Sequence, residues 1–442
     1  MVGRRALHVG NDGRFQSAQG NDSTLVDADG TVVLPGFVDA HEHLRSFSPG
    51  SRAREGLALP DLLASAARVS AVAQPSDYRA LTALASARLA SVGVTSVIDH
   101  IYPLHRPGML QAAIEGHRQV GIRASVAVGI MTKVADVIHS KPEDIFALID
   151  SVADTLLPAE QLFVAPVSLR QTDVDAYRAA VEFAVHRGLR LYTHISESED
   201  EVRECLAKHG IRPVQLLEKM GFLRPGTILV HCVHLDASDI AAIARSGASV
   251  VYCPINHLWL AKGTAPVLAL REAGVNVCLG LDGMGDQFAE LRQAMFAQGS
   301  AADEPGAIST EVAHELGTRA GAVALAAPAV TGTLEPGSAA DYVTVPLNTP
   351  MLQPMSDPLY SVVRHATGAA VRDVVVAGRL IIRNGRLANA DATELMDRAW
   401  QAVRGIAARA GEPPLSDWHS NSDVDCAPGR DAEAPSPHSD AC

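Results

Sequence analysis

One apolar run constrains this chain more than any other feature, because it closes on two histidines: Leu34-Pro35-Gly36-Phe37-Val38-Asp39-Ala40-His41-Glu42-His43-Leu44. In an extended strand residues i and i+2 share a side, so both imidazoles can reach one ion. A His-x-His pair alone fits an ordinary polar strand end equally well, and the reading therefore depends on further ligands. They stand at three later strand ends: Leu191-Tyr192-Thr193-His194-Ile195-Ser196-Glu197, Ile228-Leu229-Val230-His231-Cys232-Val233-His234, and Val277-Cys278-Leu279-Gly280-Leu281-Asp282-Gly283. In a barrel of parallel strands such ends converge on one face, so residues far apart in sequence meet at one site.

The rest of the chain is patterned for that fold. Strand-like runs at 33–40, 94–99, 122–130, 162–168, 189–195, 227–233, 248–254 and 276–282 alternate with Ala-rich amphipathic segments such as 77–91, 107–120, 173–187 and 237–245. The reading is α/β, a (β/α)8 TIM-like barrel over 34–327 with a small β-sandwich built from both chain ends, 1–33 and 328–395. Asp-Gly turns separate short strands at 6–10 and 24–30, and their expected partners are 341–345 and 371–382. Segment 60–73 reads as a helix inserted after the first barrel strand, placed to cover the mouth; 396–411 reads as a C-terminal helix and 412–442 as a disordered tail.

Composition excludes several classes of function. The net charge of −13 is concentrated at one end, where 412–442 carries seven acidic residues and one arginine. No Lys/Arg cluster supplies the phosphate contacts that nucleic-acid binding needs. No apolar run approaches the roughly 18 residues of a membrane span, and the opening Met-Val-Gly-Arg-Arg-Ala lacks a signal-peptide core, so a cytoplasmic location is expected. Six cysteines without a C-x-x-C pair read as reduced, buried thiols.

Taken in order, the motifs resemble the amidohydrolase superfamily, in the one-metal branch that holds guanine deaminase, cytosine deaminase, adenosylhomocysteine-type deaminases and triazine hydrolases. They are Pro35-Gly36-Phe37-Val38-Asp39-Ala40-His41-Glu42-His43-Leu44, Gly93-Val94-Thr95-Ser96-Val97-Ile98-Asp99-His100, His194-Ile195-Ser196-Glu197-Ser198, His231-Cys232-Val233-His234-Leu235, Leu281-Asp282-Gly283, and Gly332-Thr333-Leu334-Glu335-Pro336-Gly337 followed by Ala340-Asp341. The resemblance implies that His41, His43, His194 and Asp282 bind one divalent metal, Zn²⁺ first and Fe²⁺ second, with a position left for water. It implies that Glu197 carries protons, that His231 polarises the carbon under attack, and that Asp282 both binds metal and accepts a proton. The fourth-strand run 162–168 holds no lysine to bridge a second ion, and Lys133 falls beyond the third strand, hence the single metal.

The activity so implied is deamination of an amidine- or guanidine-like carbon in a small heterocycle such as a purine, pterin, pyrimidine or triazine. Hydrolysis of a cyclic amide, a substituted amine or a halide at the same site is the alternative, and an inactive binding scaffold is a third. The zinc-deaminase pattern with Pro-Cys-x-x-Cys is absent, since Cys253-Pro254 has neither the order nor the second thiol. The branch reads Pro-x-Ser-Asn-x-x-Leu after the seventh strand where this chain has Pro254-Ile255-Asn256-His257-Leu258-Trp259-Leu260, so His257 replaces the usual Asn. Arg170, His100, His257 and Trp259 are the candidate substrate contacts; Arg170 reads equally as a surface arginine, and His100, His105 and Arg45 sit on mouth loops. Relatives of this kind commonly form homodimers.

Overall fold

The computed structural model describes residues 28–46, 56–157, 160–283, 285–327 and 330–412. The strands expected before residue 28 and the tail expected after 412 lie outside the described residues. Eight parallel strands run in chain order around a barrel: β2 (Phe37–Glu42), β3 (Val94–Ile101), β4 (Arg123–Ile130), β5 (Leu162–Pro166), β6 (Arg190–Ile195), β7 (Ile228–His231), β8 (Ser249–Tyr252) and β9 (Asn276–Leu279). Each is almost wholly buried, as parallel strands covered on both faces must be. Closure falls between β9 and β2, where the Asp282 N–H donates to the His41 carbonyl at 3.0 Å and the Leu281 N–H to the Asp39 carboxylate at 3.0 Å. Gly280 permits this approach, since a Cβ there would lie 2.7 Å from that of His41.

Val38, Ala40, Ile98, Phe163, Tyr192 and Val230 fill the barrel interior. Helices α1 (Leu59–Ala71) and α2 (Pro75–Ser91) follow β2; α3 (Met109–Val120), α4 (Pro142–Ala153) and α5 (Val174–Arg187) follow the next three strands; α6 (Glu199–His209), α7 (Pro213–Lys219), α8 (Ala237–Ser246), α9 (Pro254–Trp259), α10 (Val267–Glu272) and α11 (Gln287–Ala302) complete the outer layer. Their ends are written locally. Asp173, Ser198 and Asp236 accept backbone N–H bonds as N-caps, and Gly188, Gly210 and Gly247 end α5, α6 and α8 in the left-handed conformation.

The smaller unit is an antiparallel sheet that joins β1 (Thr31–Pro35) to four strands from the far end: β10 (Tyr342–Pro346), β11 (Asp373–Val376), β12 (Arg379–Arg383) and β13 (Arg386–Leu387). The run read as one strand over 33–40 is therefore two. The chain leaves the small sheet at Gly36, where a Cβ would lie 2.2 Å from Thr95 Oγ1, and enters the barrel at Phe37. Asp341 ties the two sheets: one oxygen takes Arg123 of β4 at 2.6 Å and the other takes the Ala377 N–H at 2.6 Å. The last helix spans Ala392–Ala410, beginning earlier than 396 because the Asp391 carboxylate caps it by accepting the N–H groups of Thr393 and Glu394.

Candidate metal centre and active site

At the C-terminal ends of β2, β6, β7 and β9 the predicted residues meet. His41 Nε2 lies 3.3 Å from His194 Nε2 and 3.4 Å from Asp282 Oδ1, and His43 Nε2 lies 3.7 Å from the same oxygen. Each imidazole is oriented by its other nitrogen. His43 Nδ1 donates to the His100 carbonyl at 2.8 Å and His194 Nδ1 to the Val167 carbonyl at 2.8 Å. Tyr192 donates its hydroxyl to the Ala40 carbonyl at 3.0 Å, so the same oxygen accepts from His41 Nδ1 at 2.7 Å. All three Nε2 atoms are therefore lone pairs; those of His41 and His43 face the Asp282 carboxylate, and that of His194 faces His41. Burial pushes His43 down to about 4 and His194 down to about 3, which keeps both neutral at pH 7. Asp282 stays ionised: burial opposes it, but the positive charge of the Lys262 ammonium nearby helps hold its carboxyl below the usual range. Converging lone pairs and a carboxylate repel one another unless a cation stands between them, and this donor set fits a divalent metal.

Backbone strain marks the same residues. Ser196, His231, Cys232 and Asp282 have φ of 51°, 75°, 51° and 46°, values that non-glycine residues adopt at a cost. Buried carboxylates hold that backbone. Asp39 Oδ1 accepts the N–H groups of His41 (3.1 Å) and Leu281 (3.0 Å); Glu42 Oε2 accepts those of His43 (3.1 Å) and Gly283 (3.0 Å). Glu201, in the first turn of α6, accepts those of Ser196 (3.2 Å) and Glu197 (3.0 Å).

Glu197 and His231 stand beside the cluster. His231 Nε2 is 3.5 Å from Glu197 Oε1 and 3.9 Å from Asp282 Oδ2. Its Nδ1 is 3.1 Å from Nε2 of His257, whose own Nδ1 is buried without a partner among the described residues. An orphaned lone pair costs less than an orphaned N–H, so His257 donates through Nε2 and His231 carries its proton on Nε2, toward the cavity. His257 thus sets the tautomer of His231, and it is not among the residues that line the cavity. Burial would raise the Glu197 carboxyl, but the Lys262 ammonium at 2.6 Å overcomes this and holds it lowered.

A cavity of about 400 Å³ opens onto these groups. Its apolar wall comes from α1 (Leu59, Leu62, Leu63) with Met131, Trp259 and Leu260. The helix expected over the mouth is therefore where it was placed. Arg170 lines the cavity and donates to Ser198 Oγ at 2.6 Å, with Glu201 at 3.8 Å; Trp259 lines it with 48% of its surface exposed. His100 does not: it is fully buried, stacked on His194 with ring centroids 4.9 Å apart, beneath the cluster rather than in the pocket. Arg45 donates to Ser70 Oγ at 2.8 Å and lies near the Tyr78 and Tyr102 rings, and His105 bonds the Ala71 carbonyl at 3.1 Å. Lys262, Asn256 and Glu201 were not among the sequence candidates. Lys262 had one signal, a lone cation two residues past the altered Trp259-Leu260 segment, in an otherwise apolar run.

The family follows from comparison with known proteins. The Amidohydrolase family model matches residues 32–381. This chain belongs to the amidohydrolase family. It is 32% identical over 405 residues to the 5-methylthioadenosine/S-adenosylhomocysteine deaminase of Halobacterium salinarum, covering 88% of this chain and 90% of that one. It is 28% identical to the 5'-deoxyadenosine deaminase of Methanopyrus kandleri, covering 73% and 75%. Among solved structures, a zinc-bound adenosine deaminase from Xanthomonas campestris superposes with a TM-score of 0.79 at 26% identity, covering 86% and 87%. The zinc-bound atrazine chlorohydrolase of Arthrobacter aurescens shares the fold with a TM-score of 0.83 at 23% identity, covering 91% and 94%. The chain is thus a metal-dependent hydrolase of C–N bonds by family. No helix among the described residues is long and apolar enough to cross a membrane.

Proposed function

We propose that this enzyme removes ammonia from an amidine- or guanidine-like carbon of a small heterocycle. The observation that carries the reading is the convergence of three imidazole lone pairs and the Asp282 carboxylate, with Glu197 and His231 beside them at the floor of one cavity. The deaminase relatives support it. His41, His43, His194 and Asp282 hold the ion, zinc in this reading with iron(II) second, and the zinc in the Xanthomonas structure supports that order. Once bound, such an ion supplies a Lewis acid that makes water acidic enough to lose a proton near neutral pH. Glu197, kept as a carboxylate by Lys262, takes that proton and delivers it to the ring nitrogen next to the carbon under attack. His231 offers Nε2–H to the charge that develops there, and Asp282 takes the remaining proton and passes it to the departing amine.

The test is ammonia release from purines, pterins, pyrimidines and triazines by protein of known zinc and iron content. Release from one class, lost in Glu197→Gln, is the expected result. Turnover that survives Glu197→Gln would overturn the roles. Release of an alkylamine or a halide without ammonia would replace the leaving group and keep the site. No turnover of any class by metal-loaded protein would favour the scaffold. The four described cysteines are unpaired and buried, which supports a cytoplasmic, reducing location. A homodimer belongs to the same proposal, and light scattering at twice the chain mass is its check.

A further inference from the structure

The proposed chemistry leaves one buried cation only partly used. Lys262 follows α9, its side chain is 3% exposed, and its Nζ is 2.6 Å from Glu197 Oε1 and 2.6 Å from Asn256 Oδ1. Both neighbours are fixed. Asn256 Nδ2 donates to the Asp282 carbonyl at 3.2 Å, and the Glu197 N–H is held by Glu201. The lysine backbone N–H is itself anchored on the His257 carbonyl at 2.9 Å. An ammonium has three N–H donors. Two are engaged; the third has no acceptor among the described residues, and Lys262 lies in the cavity wall. A buried ammonium with an unused donor facing a substrate pocket is a recognition element for an acceptor atom.

Position says which acceptor. Glu197 serves the ring nitrogen beside the reacting carbon, and Lys262 sits on Glu197 itself, so its free donor meets the next substituent along the ring. We propose that Lys262 is a specificity-determining residue that takes an oxo group on the carbon flanking that nitrogen, so that the substrate contains O=C–N=C–NH₂ as one unit. The inference rests on the deaminase reading and names a substrate class within it. During attack the new C–O bond forms as the C=N electron pair moves onto nitrogen and spreads to the oxo oxygen. The proton from Glu197 goes to nitrogen, and Lys262 keeps all three of its own while facing the charged oxygen. No other reactant is required.

Matched pairs test it: cytosine against 4-aminopyrimidine, and isoguanine against adenine. For the pair that the pocket accepts, wild type should favour the oxo member by about tenfold or more in kcat/KM, as expected when a charged donor is otherwise left unpaired. Lys262→Met should lower kcat for both members through Glu197, and in addition bring their ratio to within about threefold, chiefly by raising KM for the oxo member. Lys262→Arg should restore part of the ratio. Metal content and far-UV circular dichroism accompany each variant, and Lys262→Gln replaces Lys262→Met if that protein does not fold. A ratio that Lys262→Met or Lys262→Gln leaves unchanged overturns the proposal, as does a wild type that treats both members alike. Ammonia release only from heterocycles without the flanking oxo group overturns it while the deaminase reading stands. No ammonia from any heterocycle overturns both.

Discussion

The floor and the rim of the cavity are built by different rules. At the floor every functional side chain is held by another group: His41 by Tyr192, His43 and His194 by carbonyls, His231 by His257, and the strained backbone by Asp39, Glu42 and Glu201. At the rim the walls come from the apolar face of α1 with Trp259 and Leu260, Trp259 is half exposed, and the Arg45 Nε has no partner among the described residues. Fixing the floor suits chemistry that demands a few tenths of an ångström; the rim can change residue by residue without disturbing it. In the proposed reading substrate choice falls to the less constrained region, and the role proposed for Lys262 lies where the two meet.

That contrast can be broken in several ways. The largest effect belongs to His194→Ala, which should leave less than a tenth of the metal by mass spectrometry and lower turnover by about 10³-fold or more. Glu197→Gln should keep the metal and lower kcat by about 10²–10⁴-fold, the range for losing a proton carrier. If it instead loses the metal, the separation of ligand from proton carrier is wrong. Asp39→Ala touches no substrate, yet strands two buried N–H groups beside His41 and Leu281; metal affinity by competition with a chelator should fall by about 10–100-fold. Trp259→Ala, at the rim, should raise KM by about tenfold and lower kcat by less than that. An equal loss in kcat would place Trp259 with the floor.

The smallest effect concerns pH. Burial pushes the Glu201 carboxyl up to about 7 from its ordinary 4.5, so the folded state favours the neutral form. The stability this contributes is fully present below about 4.5 and is lost as pH rises through about 7. Glu201→Gln is uncharged throughout. Its urea midpoint should therefore fall less than that of wild type between pH 5 and pH 8, and a parallel fall would remove Glu201 as the source.

The eight barrel strands were legible because each is a short apolar run, as burial on both faces of a parallel sheet requires, and four of them, β2, β6, β7 and β9, close on or just before a His, Glu or Asp. His41, His43, His194, His231, Glu197 and Asp282 belong to that readable class. Lys262, Glu201 and the contact of His257 with His231 do not. They project from short helices and loops whose orientation is set by packing against neighbouring strands, and no local period records it. The burial of His100 is hidden in the same way, since a strand residue shows its burial only when the barrel closes over it. The sequence by itself determined the order of the strands and the donors at their ends, through periodicity and polarity along one dimension. Tertiary structure alone decided which nitrogen of each imidazole faces the centre, which carboxylate holds which backbone, and that a lysine from after the seventh barrel strand meets a glutamate from after the fifth, because those are distances across the barrel and not along the chain.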